Sequence, residues 1–89
     1  MPPPAEAILV ELTRILQENT SLRQPITPDL ALLSARALDS MDFMNYVTVV
    51  EEQFNVTISD AEIAEHRLGV ISNMVRFLQG KNPAWPGRV

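Results

Sequence analysis

Four consecutive residues carry most of the chemistry this chain has to offer: Asp39-Ser40-Met41-Asp42. They set a serine hydroxyl between two carboxylates, where a polar-apolar connection gives way to a strongly periodic segment. A serine at a helix entrance has two uses. It can be an ordinary N-cap, in which case its removal costs about 1 kcal/mol. Or its oxygen can be a point of attachment, and an anion made there would lie near unpaired N–H groups and the positive end of the helix dipole. Few other residues compete. The absence of cysteine excludes a disulfide framework, a thiolate zinc site and a native thiol nucleophile. Any thiol chemistry needs a sulfur brought in from outside. His66 is the one histidine and is expected on the surface at a helix end. No nucleophile–base pair, metal cluster or phosphate-binding glycine loop is visible, so an enzyme is the weakest reading.

The elements that must position Ser40 are helical. Ile8, Leu12, Ile15 and Leu16 form one apolar stripe, which predicts a first helix over 4–19, with Pro4 in its opening turn. Phe43, Val47, Val50 and Phe54 do the same over 40–54, with Tyr46 at the edge of the stripe and its hydroxyl expected at the rim of the core. Asn55 should end that helix. Ser59-Asp60-Ala61-Glu62 matches a capping box and opens a short helix over 60–66. Ile71, Met74, Val75 and Leu78 mark a last helix over 70–79, with Gly80 as its stop. Residues 20–39 are too many for a featureless loop. Thr27-Pro28-Asp29 predicts a short helical turn there, and Leu30, Leu32 and Leu33 supply contacts that pin it to the core. Residues 81–89, with Pro83, Trp85 and Pro86, are expected to be a mobile tail, and 1–80 the domain. No strand pair is evident. The fold class is all-α: a small four-helix bundle with a long first loop and a short third helix.

Composition narrows the partners. The 89 residues suit one domain, 46% hydrophobic and 20% charged. Seven Lys and Arg are scattered among 11 acids, for a net charge of -4. Phosphate neutralisation needs clustered cations, so nucleic acid is not an expected partner, whereas charge steering favours a basic protein. No apolar run reaches the ~20 residues of a membrane span, and no secretory signal opens the chain. A cytoplasmic monomer is the expectation.

At this point the residues resemble a family. Leu38-Asp39-Ser40-Met41-Asp42 looks like the attachment motif of acyl carrier proteins, the phosphopantetheine-binding domains of fatty-acid, polyketide and nonribosomal-peptide synthesis. The likeness runs on through Val47 to Phe54 and through Val56 to Glu62, and fits the helix order and loop length over roughly residues 5 to 80. The resemblance implies an acyl-carrier-like bundle whose Ser40 receives 4'-phosphopantetheine from coenzyme A by the action of a separate transferase. The arm would then carry an acyl or aminoacyl group as a thioester, which supplies the missing sulfur. Asp39 belongs to the motif and, with Asp42, would position the serine or engage the transferase. A loading ligase and a downstream synthase or transferase are the other implied partners, and the carrier itself would be no enzyme. Ala37 stands where the family often has glycine, Asn45 where many fatty-acid carriers have an acid, and Arg36 adds a local positive charge. These departures imply a dedicated carrier for a specialised pathway.

Met41, Met44 and Thr48 fall on a face offset from the core stripe, with Asp42, Asn45, Glu51 and Glu52 around it. The methionines could fill gaps in the core, but their offset favours a partner-binding surface. Glu51 and Glu52 could equally be a solvated face. An unmodified helical interaction module, docking through Met41, Met44 and Thr48, is the alternative of another class.

Overall fold

A computed structural model of the chain describes residues 4–22 and 24–81. The expected tail beyond Lys81 lies outside the described residues. Four helices follow in order: α1 (Ala5–Asn19), α2 (Ser40–Phe54), α3 (Asp60–Glu65) and α4 (Ile71–Lys81). No strand is present among the described residues; Ala31 and Val70 form one isolated antiparallel bridge.

The core is built from the stripes the periodicity marks. Helix α1 packs on both α2 and α4, so Ile8, Leu12, Ile15 and Leu16 are wholly enclosed. Phe43, Val47, Val50 and Phe54 face them from α2, and Ile71, Met74, Val75 and Leu78 from α4. Tyr46 corrects the expectation of a rim: it is 0% exposed and its hydroxyl has no hydrogen-bond partner. Burial alone pushes the phenol's pKa up, because the anion would lose its water. Helix α3 buries no residue fully.

The helix ends show where local signals held and where they did not. Pro4 is the cap position of α1 rather than its first residue; its carbonyl accepts the Ala7 and Ile8 N–H groups. Asn55 ends α2 in the left-handed region at φ 55°. The capping box at Ser59 is present in full. Gly80 is not a stop: α4 runs through it to Lys81, whose ammonium bonds Glu62 at 2.6 Å and lies over the Phe77 ring. That anchorage outweighs the helix-weakening entropy of one glycine. His66 caps α3, exposed, with its ring 5.2 Å from Phe77.

The long connection is held by α4. Residues 27–30 make a single turn, closed by Leu30 N–H to the Thr27 carbonyl at 3.1 Å, and the expected helical turn of the connection comes just after it, where Ala35 N–H reaches the Ala31 carbonyl at 2.9 Å. The Pro28 and Leu30 carbonyls accept the Ser72 and Ile71 N–H groups at 2.7 and 3.1 Å, and Leu32 N–H reaches the Gly69 carbonyl at 2.8 Å. Val70 has no side-chain oxygen to cap α4, so the loop backbone satisfies those first donors instead. Leu32 and Leu38 bring the connection into the core.

Among the described residues three turns end in a non-glycine residue with positive φ: Arg36 at 57°, Asn55 at 55° and Arg67 at 50°. Each is followed by the long back-bond of a Schellman turn: Ala37 to Leu32, Val56 to Glu51 and Leu68 to Ile63. Glycine would adopt this conformation freely; a residue with a Cβ is strained there by about 1 kcal/mol.

Candidate functional site

Leu38, 5% exposed, and Phe43, 3% exposed, fix the register at the start of α2 by burying on either side of the motif. That register makes Asp39 the cap. Its backbone is extended, its Oδ1 accepts the Asp42 N–H at 2.8 Å, and its carbonyl accepts the Phe43 N–H at 2.9 Å. Ser40 is therefore the first helical residue, not the N-cap that its type allowed. Asp and Ser are nearly equal caps, so residue preference alone left the two positions unresolved. The Ser40 hydroxyl is exposed and makes no hydrogen bond to a described residue. With the Asp42 N–H taken by the cap, the Ser40 and Met41 N–H groups remain at the positive end of the helix without an intrahelical acceptor. An oxygen at this position can be joined to an anionic group without breaking any bond of the fold.

The other residues singled out from the motif divide into two sets. Asp42 Oδ2 accepts the Ser21 hydroxyl at 2.8 Å and the Ser21 N–H at 3.4 Å. Asn45 donates to the Asn19 carbonyl at 2.7 Å. Both tie α2 to the end of α1, across 21 and 26 residues of chain. Glu51 Oε2 accepts the Ile58 N–H at 2.8 Å and so holds the link into α3. Thr48 returns its hydroxyl to the Met44 carbonyl at 3.0 Å. Met41 and Met44 project outward, 82% and 46% exposed, and Glu52 is exposed. Met41, Met44, Thr48 and Glu52 thus present a mixed surface on α2 that starts next to Ser40 and runs about three turns along the helix.

Two features lie outside the sequence reading. Ser21 is one: a lone serine far along the chain carries no local sign that it clamps Asp42. The other is an open groove of about 420 Å³. Leu33, Ser34, Phe43, Ile63, Arg67 and Val70 line it, from the long connection, α2, and the turn between α3 and α4. Its parts are too far apart in sequence for any spacing rule to join them. Phe43 lies three residues after Ser40, hence beside it on the helix surface.

Away from this end, Glu62 has the most perturbed carboxyl among the described residues. Its bond from Lys81 and then that from the Ser59 N–H hold its pKa down, from 4.5 to about 2. These are the bonds of a helix cap and a surface ion pair, distant from Ser40 in role. No group of three or more His, Cys, Asp or Glu able to hold a metal occurs among the described residues, and no described helix is long and apolar enough to cross a membrane.

No curated protein and no solved structure matches the chain. A family model does, described as the phosphopantetheine attachment site, over residues 9–78. That span holds all of α2 and α3, the long connection and most of α1 and α4, with the motif near its middle. Domains of this kind carry 4'-phosphopantetheine covalently on a serine, and serve as substrates of a phosphopantetheinyl transferase and of synthase-type enzymes rather than as catalysts. With its four-helix, strand-free architecture and that match over most of its length, the chain belongs to the phosphopantetheine attachment site family.

Proposed function

We propose that this protein is an acyl carrier whose 4'-phosphopantetheine arm is joined to Ser40. The observation that carries this reading is the free, exposed hydroxyl of Ser40 at the first position of α2, with Asp39 already serving as the cap. The fit to the arm's phosphodiester is chemical. The Ser40 and Met41 N–H groups and the helix dipole favour an anion there, while the Asp42 carboxylate is engaged by Ser21 and so kept in place. When bound, the arm supplies a thiol that carries an acyl group as a thioester. In forming the link, the Ser40 oxygen bonds to the phosphorus of the phosphopantetheine portion of coenzyme A, the nucleotide portion leaves, and the serine proton passes to the transferase. Asp39 holds the helix end in register during this step. Met41, Met44, Thr48 and Glu52 are the surface on which transferase and synthase dock, with Asp42, Asn45 and Glu51 bracing it through their bonds to Ser21, Asn19 and Ile58.

The neutral Asn45 and the two exposed methionines favour a dedicated carrier for a specialised lipid, polyketide or peptide pathway. Apolar contact rather than an acidic stripe then sets partner choice. An aminoacyl carrier would share every feature of the attachment site.

Intact mass after incubation with coenzyme A and a broad-specificity transferase tests the assignment. Wild type is expected to gain one phosphopantetheine and Ser40→Ala none. A folded wild type that gains nothing, beside a known carrier that is modified, overturns it in favour of an unmodified interaction module.

A further inference from the structure

The last part of the chain differs in charge from the rest. All 11 acids lie at or before Glu65, whereas residues 66–89 hold four of the seven Lys and Arg. Two of those four, Arg76 and Lys81, meet at an open pocket of about 500 Å³. Its other described walls are His66, Asn73, Phe77 and Gly80, so it is built from the cap of α3 and from α4. Phe77 is its apolar centre. The residue packs inward on the core, with the His66 ring 5.2 Å and the Lys81 ammonium 5.5 Å from its own ring. Lys81 already bonds Glu62. Arg76 donates only to the neutral amide of Asn73, and no carboxylate pairs with it among the described residues. Gly80 adds a separate sign. Glycine weakens a helix interior, yet neither a positive φ nor a close neighbour calls for one here: a Cβ would meet nothing within 4 Å. What the missing side chain does is keep the mouth of the pocket clear.

We propose that this pocket docks an acidic segment of a partner protein, with an apolar side chain of the segment seated on Phe77 and a carboxylate paired with Arg76. The charge is complementary, and the anchors are of the kinds that carry binding energy: an aromatic ring and a guanidinium able to hold a carboxylate by two bonds. A phosphate polymer fits less well. It leaves the Phe77 ring uncovered, and a net charge of -4 repels a polyanion at long range. The proposal is independent of the assignment of Ser40, because the pocket lies on other elements than α2. A partner held here leaves α2 open to an enzyme acting at Ser40, so the chain can be retained by one protein while it is served by another.

The test titrates the isotope-labelled full chain with a short peptide of Glu and Asp around one Leu and one Phe, at about physiological ionic strength, where distant charges are screened. Amide shifts are expected at His66, Asn73, Arg76, Phe77 and Gly80, and the counterpart peptide with Gln and Asn for its acids should move them far less. Arg76→Gln should weaken binding about two- to fivefold, the scale of an exposed charge pair, and Arg76→Lys should restore part of it. Arg36→Gln removes an exposed cation outside the pocket and should change nothing. Gly80→Gln closes the mouth with a better helix former, so affinity should fall while the melting midpoint holds or rises. No shifts with the acidic peptide, shifts centred on α2, or equal losses in Arg76→Gln and Arg36→Gln overturn the proposal. So does tripolyphosphate moving the same amides as strongly as the peptide, which would make the pocket a phosphate site. Repeating the titration after addition of the arm should give the same affinity; a failure of Ser40 to take the arm would leave the peptide result standing.

Discussion

Two dipeptides in this chain contain the same two residue types in opposite order. Asp39-Ser40 leads into α2 and Ser59-Asp60 into α3. In both, the first residue is extended and caps. Asp39 Oδ1 takes the Asp42 N–H at 2.8 Å, and Ser59 Oγ takes the Glu62 N–H at 3.1 Å. In both, the second residue is the first of the helix, with its side chain left to solvent. The difference is which oxygen is spent. At α3 the serine is consumed by the fold, engaged again by Glu62, and an acid is left over. At α2 the acid is consumed and a serine hydroxyl is left over. A helix entrance offers one cap and one free side chain, and the order of two residues decides which chemistry remains available.

Exchanging that order is the strongest way to break the comparison. Asp39→Ser combined with Ser40→Asp keeps a good cap, so the melting midpoint should stay close to wild type, within the ±0.5 kcal/mol usual for surface changes. Intact mass should nevertheless show that the arm is no longer added, although a serine remains within the motif. Addition at wild-type rate would mean that the transferase does not need the hydroxyl at the first helical position. Ser40→Ala carries the same logic to the fold. Because Asp39 does the capping, this change should leave stability within about 0.5 kcal/mol, well below the ~1 kcal/mol that loss of a serine cap costs. Urea titration reads the distinction directly.

The two caps should also fail differently. Asp39→Ala should lower global stability by about 1 kcal/mol, since α2 carries five core residues and cannot loosen alone. Ser59→Ala removes a cap of the same worth from a helix with no fully buried residue. Its cost should appear chiefly as faster amide exchange over 60–65, with a smaller change in the global midpoint. Equal global losses would show that α3 unfolds only with the rest of the domain.

The smallest effect is the pH dependence of that same box. Glu62 has a folded pKa of about 2 against an ordinary 4.5. The stability this contributes is present above about 4.5 and is lost as pH falls through that window towards 2. Glu62→Gln should flatten the midpoint-against-pH curve between those values and leave it unchanged in shape near neutrality. An identical acid slope in wild type and variant would deny Glu62 that role.

Much of this architecture is written in short-range patterns. The stripes of α1, α2 and α4 follow from helical spacing, the α3 entrance from Ser59 and Glu62, and the α2 exit from Asn55, because each involves neighbours within one or two turns. The motif around Ser40 was legible for the same reason. What spacing could not show was the fate of groups whose partners lie far along the chain. The Tyr46 hydroxyl was expected at a rim and is enclosed in the core. The Pro28 and Leu30 carbonyls serve α4, and Gly80 is carried through by the contacts of Lys81.

The choice between Asp39 and Ser40 as cap belongs with these long-range outcomes. Either residue satisfies an N–H equally well, so local energy is nearly indifferent. Burial of Leu38 and Phe43 against the rest of the core breaks the tie. The chain's periodicity and its Asp-Ser motif thus sufficed to place a serine at a helix entrance. Tertiary packing alone left that serine free, braced Asp42 against Ser21, and gathered Leu33, Phe43, Ile63 and Arg67 into a groove that meets α2 at Phe43. Hydrogen-bonded helix turns are decided by residues a few positions apart, whereas burial and the grooves between elements exist only once distant segments meet.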